Sequence, residues 1–118
     1  MNPLRVLLVE DNRDDAELAV WALREVGITE VAVAWDGTHA LELLGSITPD
    51  LVLLDLRLPL MDGLDVLAEI RRDPRLKHLR VIILTSSENP RDMAACQALG
   101  VTAFLSKPLD GELLLTYL

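Results

Sequence analysis

Four short apolar runs in this chain end on polar residues that can do chemistry. Glu10 and Asp11 follow residues 6–9, and Asp55 follows 51–54. Thr85, Ser86 and Ser87 follow 81–84, and Lys107-Pro108 follows 103–105. Taken singly, an acid after an apolar run is ordinarily a helix cap or a solvated loop residue. Jointly they gather three carboxylates, a hydroxyl cluster and one lysine at the ends of four runs. Two carboxylates ~5 Å apart repel by about 3 kcal/mol at an effective dielectric near 20, so three together need compensation. A hard divalent cation such as Mg²⁺ supplies it, because it prefers oxygen ligands and keeps several waters. Mg²⁺ with few protein ligands commonly also binds phosphate. A carboxylate can then act as a nucleophile toward phosphorus and form an aspartyl phosphate. That chemistry needs a metal on the phosphoryl oxygens, a cation opposite it and a hydroxyl donor, and each part is present.

These residues meet only if the runs are strands that end on one edge. The uninterrupted apolar character of 6–9, 51–54 and 81–84 is that of strands buried on both faces. Residues 31–35 and 103–105 read as two more strands, the former ending on Trp35 and Asp36. Helical spacing fills the intervals. Leu18, Ala19, Ala22, Leu23 and Val26 share a face of a helix over about 14–26, ended by Gly27. Further helices are expected over 37–44 with Asp36 as N-cap, over 64–72 stopped by Asp73-Pro74, over 90–99 ahead of Gly100, and from Gly111 onward. Alternating strands and helices imply an α/β doubly wound (βα)5 domain with a five-stranded parallel sheet and right-handed crossovers. Its ligands belong beyond the carboxyl ends of the strands. The last helix is short and ends in apolar residues, so either the chain is trimmed there or Leu113, Leu114, Leu115 and Leu118 pack on something.

With 118 residues, the chain is expected to be one domain over 1–118, with no output domain anticipated. The net charge of −8 and an aromatic content of 3% argue against binding nucleic acid. A lone cysteine, Cys96, precludes an internal disulfide and fits a reducing compartment. No apolar run approaches the ~20 residues of a membrane span. The N-terminus, Met-Asn-Pro-Leu-Arg, does not read as a signal peptide, so the expected location is the cytoplasm.

Several stretches resemble the receiver domain of two-component response regulators, of which the chemotaxis regulator is the stand-alone type. They are Leu7-Leu8-Val9-Glu10-Asp11-Asn12, Leu53-Leu54-Asp55-Leu56-Arg57-Leu58-Pro59, Met61-Asp62-Gly63, Leu84-Thr85 and Lys107-Pro108. The resemblance covers essentially the whole chain, in order. It implies the flavodoxin-like strand order 2-1-3-4-5 and a phosphoryl group accepted on Asp55 from a sensor histidine kinase. Asp11 would bind Mg²⁺ directly, Glu10 largely through water, and Arg57 through its backbone carbonyl. Thr85 and Lys107 would bond the phosphoryl group. Thr85 and Phe104 would form the switch, with Phe104 lacking the hydroxyl of a tyrosine. The Lys107-Pro108 bond would be cis. Ser86 departs from the small apolar residue usual after the threonine, and a hydroxyl there could narrow the entry. Glu10 to Leu18, Asp73 to Lys77 and Leu84-Thr85-Ser86-Ser87 are similar to regulators paired with bacterial phytochrome kinases. That subgroup carries with it a light signal and a homodimer.

The leading reading is therefore a phospho-regulated interaction module acting on an unknown downstream protein. It is not an enzyme beyond self-catalysed phosphoryl transfer and dephosphorylation. A phosphohydrolase using an aspartyl phosphate is the second reading. It is opposed by Arg57, which cannot donate a proton near neutral pH where such enzymes carry a general acid. The third reading is an unphosphorylated receiver-like scaffold. Trp21, off the apolar stripe of the first helix, is either a kinase-docking residue or lies flat on its neighbours. His39 and His78 read as surface residues and Cys96 as a small buried hydrophobe.

Overall fold

In the computed structural model, which describes residues 3–86 and 89–118, strands and helices alternate through the whole chain. They are β1 (Arg5–Val9), α1 (Arg13–Glu25), β2 (Glu30–Ala34), α2 (Gly37–Leu44) and β3 (Leu51–Leu54). Then come α3 (Gly63–Arg72), β4 (Arg80–Thr85), α4 (Pro90–Ala98), β5 (Ala103–Ser106) and α5 (Gly111–Leu115). The five strands are all parallel, in the order β2-β1-β3-β4-β5. Ser87 lies outside the described residues, as do Met1 and Asn2.

Alternation along the strands divides the core in two. Val6, Leu8, Leu51, Leu53, Ile82 and Leu84 face α1 and α5, where Ala16, Ala19, Leu23 and Leu114 are buried. Leu7, Val9, Val52, Leu54, Val81 and Ile83 face α2, α3 and α4. Sheets covered on both faces require apolar residues at every central-strand position, which is why these strands read as unbroken runs.

The helix boundaries have local causes. Asn12, Asp36 and Asp110 each accept a hydrogen bond from a first-turn N–H, at 3.0, 2.7 and 3.2 Å. Gly27 and Gly100 sit at φ +86° and +74°, the left-handed conformation that ends α1 and α4. One expectation fails on α1: Leu18 is 54% exposed. The buried stripe is Ala16, Ala19, Ala22 and Leu23, and small alanines let the helix lie close to the sheet, leaving Leu18 at its margin. Strand β2 stops at Ala34, one residue short of Trp35, whose ring lies under the Arg13 guanidinium at 5.9 Å.

Candidate functional site

The parallel register brings the four chemically loaded strand ends to one edge. Val9, Ala34 and Leu54 stand side by side at the ends of β1, β2 and β3, and Thr85 pairs with Ser106 between β4 and β5. Backbone bonds extend the ladder one step further: Glu10 N donates to Ala34 O at 3.0 Å, and Asp55 N to Val9 O at 3.1 Å. Glu10 and Asp55 are thereby fixed on adjacent strands. Lys107 N donates to Thr85 O at 3.2 Å, which ties the lysine to the hydroxyl-bearing strand.

The side chains converge on one ammonium. Lys107 Nζ donates to Asp55 Oδ2 at 2.7 Å and to Asp15 Oδ2 at 3.2 Å, and it also pairs with Glu10 Oε1. Glu10 and Asp55 are 2% and 4% exposed, whereas Asp11 is open to solvent. Asp55 Oδ1 accepts the Arg57 N–H at 3.1 Å, so both of its oxygens are held. Glu10 Oε2 accepts the Asn12 N–H at 3.1 Å. The Lys107-Pro108 peptide is cis.

Burial raises the Glu10 carboxyl above its ordinary value. The hydrogen bonds from Lys107 and the Asn12 N–H oppose that, and the Asp55 charge adds to it. For Lys107, burial works to lower the ammonium, but hydrogen bonds to Asp55 and Glu10 outweigh it and hold it above the usual lysine value. Glu10, Asp11 and Asp55 each present an oxygen within 4.8 Å of the others. An all-oxygen donor set with one member open to water fits a hard divalent cation.

Of the residues singled out from sequence, Glu10, Asp11, Asp55 and Lys107 form one cluster. Arg57 touches it through its backbone, with its side chain exposed. Thr85 is buried at the end of β4, and Phe104, opposite Ile83 across the β4–β5 pair, is half-buried against the α2–α4 side of the core. Ser86 lines an open cavity of about 290 Å³ beside Lys107, together with Asp15, Leu18 and Pro108. Trp21 is 62% exposed on α1. His78 is exposed as expected, but His39 is half-buried and its Nδ1 accepts the Trp35 N–H at 3.2 Å, which locks the β2–α2 turn. Cys96 is buried, and burial, with Asp92 nearby, pushes its thiol up to about 11. Asp15 was not foreseen as a site residue. It lies in the first turn of α1, and nothing in the sequence separates it from the neighbouring acids until the fold brings Lys107 Nζ to its Oδ2.

A family model described as "Response regulator receiver domain" matches residues 6–118. The chain is 40% identical over 113 residues to the response regulator Rcp1 of Synechocystis sp., covering 89% of this chain and 77% of that protein. It superposes on the bacteriophytochrome response regulator AtBRR with a TM-score of 0.87 and 38% identity, covering 99% of this chain and 91% of the other. The Mn²⁺-bound form of Rcp1 gives a TM-score of 0.81 at 37% identity, covering 98% and 89%.

Proposed function

The chain belongs to the response regulator receiver family and stands close to the phytochrome response regulators, and from that premise we propose that Asp55 takes the phosphoryl group and that Lys107, Thr85 and Phe104 convert its arrival into a changed surface. The observation that carries the reading is the double hold on Asp55: Lys107 on one oxygen and the Arg57 N–H on the other. An Asp55 oxygen attacks phosphorus in line while the imidazole of a sensor histidine kinase departs with the P–N bonding pair. Fixing the carboxylate before the encounter removes orientational freedom that the transition state would otherwise have to lose.

The Glu10, Asp11 and Asp55 side chains and the Arg57 carbonyl would hold Mg²⁺, which when bound neutralises charge on the phosphoryl oxygens. Support for a divalent cation comes from the oxygen set within 4.8 Å and from the Mn²⁺-bound form of Rcp1. Lys107 stays protonated throughout, because the surrounding acids hold its ammonium well above the ordinary value. Its proton on Asp55 Oδ2 turns to a phosphoryl oxygen once that oxygen is esterified.

Buried Thr85 then moves its hydroxyl toward the phosphoryl group, and Phe104 fills the space it leaves. Helix α4 is the element best placed to respond, since Cys96 alone among its nine residues is buried. The exposed Trp21 on α1 belongs to the face that meets the kinase. The kinase is of the bacterial phytochrome kind, the downstream partner is a protein, and the protein acts in the cytoplasm and also pairs with itself. It is a signalling module and not a turnover enzyme. Arg57 stands where a phosphohydrolase would need a proton donor.

Incubation with a small acyl-phosphate donor, followed by intact mass measurement, tests the reading. The mass should rise by one phosphoryl group with Mg²⁺, and should not rise in EDTA or in Asp55→Asn. Turnover of phosphate esters without a lasting adduct would favour the phosphohydrolase.

A further inference from the structure

Five of the eleven Lys and Arg residues of this acidic chain fall in one ten-residue stretch. Residues 71–80 hold Arg71, Arg72, Arg75, Lys77 and Arg80 against a single acid, Asp73, a formal +4 within a chain of −8. Part of this charge borders an open cleft of about 470 Å³ between the α3–β4 connection and the end of α4. Arg71, Lys77, His78 and Arg80 line it with Leu79, Ala98, Leu99, Gly100 and Thr102, and no carboxylate among the described residues does. The cleft lies at the start of β4, and Thr85 stands at that strand's far end. Six residues of extended chain separate the two by roughly 17 Å.

The cleft has a fixed cationic wall. Arg71 Nε donates to Leu99 O at 2.6 Å, Nη1 to Leu79 O at 2.8 Å and to Lys77 O at 3.2 Å, and Nη2 to Gly100 O at 3.1 Å. These four carbonyls include the last ones of the α4 turn, whose partial negative charge would otherwise repel an anion. Arg71 satisfies them and stays charged. The neighbouring cations divide by use. Arg72 pairs with Glu69, and Arg75 donates to Leu44 O on the other side of the connection. Among the described residues, Lys77 and Arg80 form no ion pair.

We propose that this cleft binds a small polyanion of the diphosphate class through Lys77, Arg80 and His78 against the fixed Arg71. Two or more adjacent negative charges suit cations drawn from consecutive turns of one connection. The lining has no aromatic ring on which a nucleobase could stack, so recognition is confined to the charged groups. The site is independent of Asp55 chemistry and needs no metal.

The test uses the ¹⁵N-labelled chain at low ionic strength in EDTA, titrated with pyrophosphate and followed by amide shifts. Saturable shifts are expected at 77–80 and 99–102, and none at Glu10, Asp11 or Asp55. The double variant Lys77→Ala/Arg80→Ala removes two exposed side chains and should keep its fold. It should weaken binding by roughly tenfold or more, the order expected when two unit charges near a dianion are lost. Arg72→Ala removes the same type of charge outside the cleft and should leave the affinity nearly unchanged. ADP should bind no more tightly than pyrophosphate. The proposal is overturned by an absence of saturable shifts or by equal binding in the double variant. It is also overturned by tighter binding of ADP, or of hexaglutamate at the same amides, the last marking a docking surface for an acidic protein.

Discussion

Lys107 Nζ lies 2.7 Å from Asp55 Oδ2, and the same ammonium also serves Glu10 and Asp15. Its three protons meet three carboxylates, two of them buried, so this single cation keeps the acids of the site together. Lys107→Met leaves those acids facing one another. Breaking a buried pair by removing one partner costs about 3–5 kcal/mol. In EDTA the variant should lose stability of that order in urea unfolding. Millimolar Mg²⁺ should restore part of it, because a ligand that binds only the folded state stabilises it. An unchanged midpoint in EDTA would show that the acids do not depend on Lys107.

Glu10 has a pH signature. Burial is the main cause of its raised value, so the folded state holds this proton more tightly than the unfolded chain, whose value is near 4.5. The stability linked to that proton is fully present below about pH 4.5 and is lost as pH climbs through the raised value. Ionised Glu10 is therefore a liability at neutral pH without metal. Glu10→Gln should gain stability relative to the parent as pH rises above 4.5, and should bind divalent cations more weakly. Lys107, also raised, keeps its full contribution across this range and loses it only above the ordinary lysine value. Urea titrations of both proteins from pH 4 to 8 in EDTA check this, and a difference independent of pH contradicts it.

Leu60 is strained. It has φ +68°, and Met61 N donates across it to Pro59 O at 2.7 Å, which makes a γ-turn of the uncommon positive-φ kind. Its side chain is solvent-exposed and contributes no core packing. Leu60→Gly should stabilise the domain by roughly 0.5–1 kcal/mol, the left-handed strain removed less the entropy that glycine adds to the unfolded chain. Thermal unfolding reads it; a lower melting temperature means the turn is not strained.

Gly63 closes the loop after Asp55. A Cβ there would run into the Asp55 carbonyl oxygen and come within 2.7 Å of Leu56 Cα. Backbone atoms cannot swing aside as a side-chain tip can. Gly63→Ala should cost about 1–3 kcal/mol by overpacking and slow phosphorylation by moving the acceptor backbone. Wild-type stability and rate in the variant would show that the loop yields easily.

The sheet and the cluster were legible because buried parallel strands must be apolar throughout, so the polar residue ending each run stands out. Strand order 2-1-3-4-5 came from the family resemblance rather than from periodicity. Other features depend on packing that a pattern does not encode. Leu18 fits the helical repeat of α1 yet stays exposed, since three alanines make the contact with the sheet. Asp15 reads as one acid among several in a first turn until the fold sets Lys107 beside it. Arg71 looks like any helix-terminal cation, but its four carbonyl partners come from segments 6 to 29 residues away. His39 reads as a surface residue until the turn brings its ring to the Trp35 N–H.

Where the phosphoryl group sits is the most direct measure of the central claim. The chain is treated with an acyl-phosphate donor and Mg²⁺, reduced with borohydride, digested and sequenced by mass spectrometry. Borohydride converts an aspartyl phosphate to homoserine and leaves a free carboxylate intact. Homoserine at position 55, and at no other acidic position, is the predicted result. An unreduced Asp55, with the label on Asp11, Glu10 or a hydroxyl residue, would contradict it.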